Sequence, residues 1–261
     1  MPLSGSTSNR EASNSDGASS QIGLIVLSSI LGTLAVGLWA ISLTQTSVAN
    51  SNLLHNVTPV FVLIGGWLVL GQRFEAGYLL GILLAIAGVG LLSIANLQRQ
   101  DSGSLGGDGL ALASAVFYAA NYLTREQLRQ RLPATHILFW TCLLSSLYSA
   151  ALVWAAHQQP FPQTWQTWMA VLGLALVCQI LGQGLLIHQL NRVSASFVTL
   201  LMLLEPLITA LLAAVIFRER LSALNWLAFA IVLAGIALAR ISAASNGGGP
   251  ARLPPDSTLP S

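Results

Sequence analysis

Ser47 to Pro59 reads SVANSNLLHNVTP, and 147 positions later Ser194 to Pro206 reads SASFVTLLMLLEP, opening and closing on the same residue types. At that separation Gly37 also falls on Gly184, Leu43 on Leu190, Arg73 on Arg220 and Gly88 on Gly235, without a gap. The chain therefore carries an internal repeat that runs over three consecutive apolar segments. With five spans per repeat unit, an odd number, each matched helix crosses a bilayer in the direction opposite to its partner, which is a transporter arrangement.

The composition places those segments in lipid. Hydrophobic residues make up 54% of the 261 and charged residues 8%, with a mean hydropathy of +0.70, outside the balance of a soluble domain. Each long apolar run approaches the roughly 20 residues a helix needs to cross a core of about 30 Å. Eight such runs lie near 22–44, 49–71, 77–97, 108–124, 135–156, 166–190, 194–217 and 223–242. The fold class expected is all-α, a polytopic transmembrane helix bundle of about eight spans. Cys142 and Cys178 both fall inside spans and suit packing, and no metal-ligand spacing is present. The basic residues are all arginine and form no run that would suit nucleic acid. The bilayer is the partner to expect. With the N-terminus inside, eight arginines lie on the cytoplasmic side against Arg99, Arg218 and Arg220 outside, so both termini are expected in the cytoplasm.

Residues 1–20 are rich in Ser, Asn and Gly and are expected to form a disordered tail. Residues 21–97 hold three spans, 98–107 form a polar, Gly-rich linker, 108–243 hold five spans, and 244–261 form a second disordered tail.

The strongest local pattern is Leu203-Leu204-Glu205-Pro206, an apolar stretch, Phe217-Arg218-Glu219-Arg220-Leu221-Ser222, and Ala234-Gly235-Ile236. The earlier copy reads Thr58-Pro59-Val60-Phe61, Leu70-Gly71-Gln72-Arg73 and Ala87-Gly88-Val89. Over about 22–242 this resembles the EamA family of the drug/metabolite transporter superfamily, with Gln72 where that family usually has Glu. The resemblance implies two five-helix inverted repeats and a multi-pass carrier in the plasma (inner) membrane. It also implies secondary transport of small organic solutes or metabolites through a cavity between the repeats, with no cofactor. Against that pattern the first repeat lacks its first two helices. A start codon placed too late, a degraded gene, or an eight-helix variant assembled as a homodimer would each account for the shortfall. A transport-incompetent truncated paralogue or accessory membrane subunit is the alternative reading.

Candidate site residues follow from what lipid tolerates. Pro59 and Pro206 sit mid-span, each lacking an N–H and leaving the carbonyl four residues earlier, on His55 and Met202, without its helical partner. Two symmetry-matched kinks there make a floor for a cavity. Glu205 is an acidic residue deep in a span, where an ionised carboxylate costs at least about 2.5 kcal/mol. It is expected to face the cavity and to exchange a proton, or another coupling ion, during transport. Gln179 and Gln183 share one face of the sixth span, and Asn52, His55 and Asn56 share one on the second. Tyr118, Asn121, Tyr122 and Arg125 recur at i, i+3, i+4 and i+7 on the fourth, with Arg125 read as an anchor at the cytoplasmic end. Trp39 and Trp67 are further candidates for closing on a ligand, and Gly81, Gly88 and Gly235 are read as points of close helix approach. No catalytic residue is expected, because the sequence holds no GxSxG, no HExxH and no paired Asp. Lacking a Gly-rich phosphate loop, transport would draw its energy from a gradient.

Overall fold

A computed structural model of the chain describes residues 5–97, 104–155, 161–216 and 222–245. Those residues are helical throughout, apart from turns. The helices are α1 (Gly5–Gln45), α2 (Val48–His55), α3 (Thr58–Leu70), α4 (Ala76–Leu97), α5 (Leu105–Arg129) and α6 (Ala134–Ala155). There follow α7 (Trp165–Gly173), a π-helical segment Leu174–Gln183, α8 (Gly184–Gln189), α9 (Ala195–Met202), α10 (Glu205–Ile216) and α11 (Ala223–Ser245). Among the described residues helix occupies each of the eight expected runs, two of them as a broken pair.

Among the described residues six stretches are long and apolar enough to cross a membrane: Ser19–Gln45, Asn50–Leu70, Ala134–Ala155, Trp165–Gln189, Ala195–Ile216 and Ala223–Ser242. The apolar part of α4, Ala76–Leu92, is shorter. Helix α5 is more polar, since Asp108, Asn121, Arg125, Glu126 and Arg129 all lie on it. The count of about eight is thus only roughly met.

Two boundaries differ from expectation. Helix α1 starts at Gly5, so residues 5–20 are helical where a disordered tail was expected. Once the apolar run has nucleated a helix, each further residue adds a hydrogen bond for one residue's worth of ordering, and poor helix formers are carried along. Helix α5 starts at Leu105, which takes 105–107 from the expected linker. Residues 98–103 of that linker and 246–261 of the expected C-terminal tail lie outside the described residues, as do Phe217 to Leu221 of the family-like pattern.

The chain divides into two compact units, 1–33 with 124–191, and 34–123 with 192–261. These do not coincide with the sequence repeats, because α4 and α11, which the repeat matches, pair with one another inside the second unit. Helix α4 lies along α11, the most extensive helix pair among the described residues, and α3 lies along α9. Small residues permit the first pairing. A Cβ placed on Gly81 would stand 2.6 Å from the Gly235 oxygen, and one on Gly235 would stand 2.5 Å from the Ala85 nitrogen. One on Gly88 would stand 2.8 Å from the Val232 nitrogen. The two backbones meet with no room for a side chain. Around that seam Ile82, Val89, Leu200, Leu203, Phe229 and Val232 form the core of the unit. Helix α3 ends in a left-handed Gly71, φ 62°, whose N–H caps the Gly66 carbonyl.

In the first unit, Ile25, Leu128, Ala134, Ile137 and Ile187 form the core. Arg129 ties it together, donating from Nε to the Ile187 carbonyl at 2.9 Å and from Nη1 to the Leu132 carbonyl at 2.5 Å.

Candidate functional site

The repeat seen in sequence recurs as local structure. Ser47 caps α2, its Oγ accepting from the Asn50 N–H at 3.1 Å. Ser194, its counterpart, caps α9 by accepting from the Phe197 N–H at 3.3 Å. Each capped helix is short and ends four residues before a proline: α2 at His55 before Pro59, and α9 at Met202 before Pro206. Those are the two residues whose carbonyls the prolines leave without a helical N–H. A new helix then begins at Thr58 and at Glu205. The His55 carbonyl is taken up by the Thr58 hydroxyl, which donates to it at 2.6 Å.

A pocket of about 40 Å³ opens at these breaks, within the second unit. His55, Asn56, Thr58 and Pro59 line it from the first break, and Thr199, Met202, Leu203 and Glu205 from the second, with Tyr118 and Tyr122 contributed by α5. At the repeat separation His55 corresponds to Met202, Asn56 to Leu203 and Thr58 to Glu205. The pocket is therefore built on three repeat-related pairs whose backbones do the same thing and whose side chains do not. Glu205 is exposed to the opening and stands in the first turn of α10, where the helix dipole favours a negative charge.

A ring cluster flanks the opening. The His55 and Tyr118 rings meet edge to face at 4.8 Å between centroids, Tyr118 and Tyr122 lie at 6.1 Å, and Trp39 packs against His55 at 5.8 Å. His55 Nδ1 lies 3.1 Å from Ser114 Oγ. Because Ser114 gives its own proton to the Ala111 carbonyl at 2.7 Å, it can only accept from the imidazole, which assigns the proton to Nδ1. Tyr122 donates its hydroxyl to the Met202 sulfur at 3.0 Å.

Of the residues singled out from sequence, the structure brings His55, Asn56, Pro59, Tyr118 and Glu205 to one pocket, with Tyr122 of the same stripe. Trp39 stands behind His55 and does not line it. Asn52 lies one turn back on α2, where its carbonyl accepts from Asn56 Nδ2 at 2.8 Å. Asn121 is buried away from the lining, Pro206 follows Glu205 without reaching it, and Trp67 is 61% exposed on α3. Gln179 and Gln183 belong to the first unit, on a segment wound as π-helix instead of the regular helix expected. Gln179 is exposed and donates to Cys142 Sγ at 3.2 Å, while Gln183 accepts from Arg125 Nη1 at 2.7 Å. Arg125, read as an anchor at the membrane surface, is instead 9% exposed, its guanidinium turned onto that glutamine.

The sequence pattern did not mark the side chains of Thr58, Ser114, Thr199, Met202 and Leu203 as lining, although it marked the Met202 carbonyl as freed by Pro206. The repeat offset contained the signal for three of them, since shifting Glu205, His55 and Asn56 by 147 positions lands on Thr58, Met202 and Leu203. Ser114 lies one turn before Tyr118 on α5 and resembles any small residue of a span.

Comparison with known proteins adds the family. The profile of the EamA-like transporter family matches residues 7–94 and 105–241. A probable amino-acid metabolite efflux pump of Salmonella typhimurium is 29% identical over 195 residues, covering 71% of this chain and 65% of that protein. The pseudopaline exporter CntI of Pseudomonas aeruginosa is 25% identical over 175 residues, covering 67% of this chain and 60% of its own. An uncharacterized transporter of Synechocystis is 35% identical over 88 residues, 33% of this chain and 27% of that one. The chain thus spans less than two thirds of the length of each of these relatives. A crystal structure at 16% identity shares the fold with a TM-score of 0.68, over 84% of this chain and 88% of its own. With both matched segments together covering most of the sequence, this chain belongs to the EamA-like transporter family.

Proposed function

We propose that the chain is a gradient-driven secondary transporter of small organic solutes, with the pocket at the two helix breaks as its solute site and Glu205 as its coupling group. The observation that carries this is the lining itself: repeat-related breaks in two spans converge, with a carboxylate, on one opening. Broken helices at a repeat interface are where carriers hold solute and coupling ion. A carboxylate midway along the Ala195–Ile216 span is also costly enough to need a use.

At about 40 Å³ the opening holds roughly three waters, taking about 10 to 15 Å³ for each. Seating a whole metabolite therefore requires the site to widen, as an alternating-access cycle does. The names of the relatives, an efflux pump and an exporter, favour outward movement of metabolites. The arginine bias favours a carrier with both termini in the cytoplasm of a bacterial inner membrane.

The test is accumulation in proteoliposomes under an imposed proton gradient, with a panel of labelled amino acids, amines and organic acids. At least one solute should accumulate above protein-free vesicles, and Glu205→Gln should abolish the dependence on the gradient. Transport by Glu205→Gln with an unaltered pH profile would remove Glu205 from the coupling role. A panel with no uptake over protein-free vesicles would overturn the transporter reading.

A further inference from the structure

The hydrogen bonds around the pocket have a direction, and that direction selects a ligand chemistry. Thr58 spends its hydroxyl proton on the His55 carbonyl at 2.6 Å, and Thr199 spends its own on the Ala195 carbonyl at 3.0 Å or that of Ser196 at 3.1 Å. Asn56 donates from Nδ2 to the Asn52 carbonyl at 2.8 Å, and Tyr122 donates to the Met202 sulfur at 3.0 Å. His55 gives its Nδ1 proton to Ser114, so a neutral ring keeps a lone pair at Nε2. Each of these residues lines the pocket; Thr58, Thr199 and His55 keep lone pairs for an occupant, and Asn56 keeps those of Oδ1 beside its second Nδ2 proton. Glu205, when ionised, accepts only.

Charge points the same way. Among the described lining residues Glu205 is the acidic one, and none is an arginine. An anion placed there would face an uncompensated carboxylate. The rings of Tyr118 and Tyr122 add the negative faces that attract cations.

Building on the pocket as the solute site, we propose that the transported solute carries a primary ammonium group, seated in this pocket with its three N–H donors on Glu205 and the surrounding oxygens. An ammonium has three donors and no acceptor, which complements the Glu205 carboxylate and the lone pairs on Thr58, Thr199 and His55. Its size also suits a space of about 40 Å³. A trimethylated ammonium has the same charge without donors and is larger, so the acceptor-rich lining discriminates against it.

The test uses the purified chain in detergent and isothermal titration with four probes that share one phenyl group: phenethylamine, its N,N,N-trimethyl analogue, 2-phenylethanol and 3-phenylpropionate. Phenethylamine should bind at least tenfold more tightly than any of the other three, and Glu205→Gln should erase that margin. Equal binding of the amine and its trimethyl analogue, tighter binding of the alcohol or the acid, or no binding of the amine would each overturn the proposal. The probe series on the unaltered chain decides the matter even where Glu205→Gln fails to fold. The same panel of labelled solutes in proteoliposomes separates the two readings. Uptake of solutes lacking an amine, with no binding of phenethylamine, keeps the transporter and removes the ammonium site. Amine binding with no uptake of anything keeps the site and removes the transporter.

Discussion

Gly235→Ala puts one methyl group where the α4–α11 seam has no space for it. The added Cβ would lie 2.5 Å from the Ala85 nitrogen and 2.6 Å from the Gly81 oxygen, about 1 Å inside ordinary contact distance, and both obstacles are backbone, which no rotamer change can move. The helices must part locally by about that amount, and a gap of 0.5 to 1 Å already forfeits about a quarter to a half of each dispersion contact. The tightly packed neighbours Ile82, Ala85, Val89, Ala228 and Val232 would share the loss, and overpacking of this kind costs about 1 to 3 kcal/mol. Alanine recovers about 0.5 to 1 kcal/mol over glycine in a helix, leaving a net loss of up to about 2.5 kcal/mol, about 1 kcal/mol at the middle of the two ranges. Gly37→Ala supplies the control, since a Cβ there meets nothing within 4 Å and only the propensity gain of up to about 1 kcal/mol remains. Unfolding by sodium dodecyl sulfate in mixed micelles, followed by circular dichroism, should move the two midpoints in opposite directions. If Gly235→Ala unfolds at or above the midpoint of the unaltered chain, the seam is not packed as described and the argument fails.

Other changes test the network around the pocket and the first unit. Thr58→Val removes the hydroxyl that takes up the His55 carbonyl, so it should cost about 1 to 3 kcal/mol in the same unfolding assay, with Thr58→Ser close to neutral. Ser114→Ala releases the imidazole from its acceptor and is expected to slow transport several-fold while lowering stability by only about 1 kcal/mol; equal transport would dissociate the ring's orientation from the site. Arg129→Lys should fail to replace Arg129, because a single ammonium does not reproduce the two directed bonds to Ile187 and Leu132. A loss of about 1.5 to 3 kcal/mol is expected for each charge-assisted bond that lysine does not replace, read as a lower midpoint of thermal unfolding.

Much of the helical architecture was legible because lipid leaves a chain little choice: apolar runs of spanning length must be helices, and mid-span prolines must break them. The two breaks at His55 and Met202 and the seam at Gly81, Gly88 and Gly235 follow from that logic. The helical state of residues 5–20 did not, since composition describes what a segment prefers alone and not what a preformed neighbouring helix imposes. Six of the ten lining residues were legible for a similar reason. Polar and charged residues such as His55 and Glu205 stand out against an apolar background, whereas Met202 and Leu203 do not. Gln179 and Gln183 lie on a π-helical segment and bond to different helices, Gln179 to Cys142 on α6 and Gln183 to Arg125 on α5, partners that spacing along one span does not name. Arg125 was read by charge alone, and charge does not reveal that a glutamine stands ready to bury it.

The three repeat-related pairs in the pocket lining have one more consequence. Duplication gave the opening two halves with a common backbone, and substitution then made one half imidazole, amide and hydroxyl, the other thioether, isobutyl and carboxylate. An occupant with unlike ends meets unlike walls, so turning it around does not return the same energy. Twofold in its scaffold and one-way in its chemistry, the opening can tell head from tail.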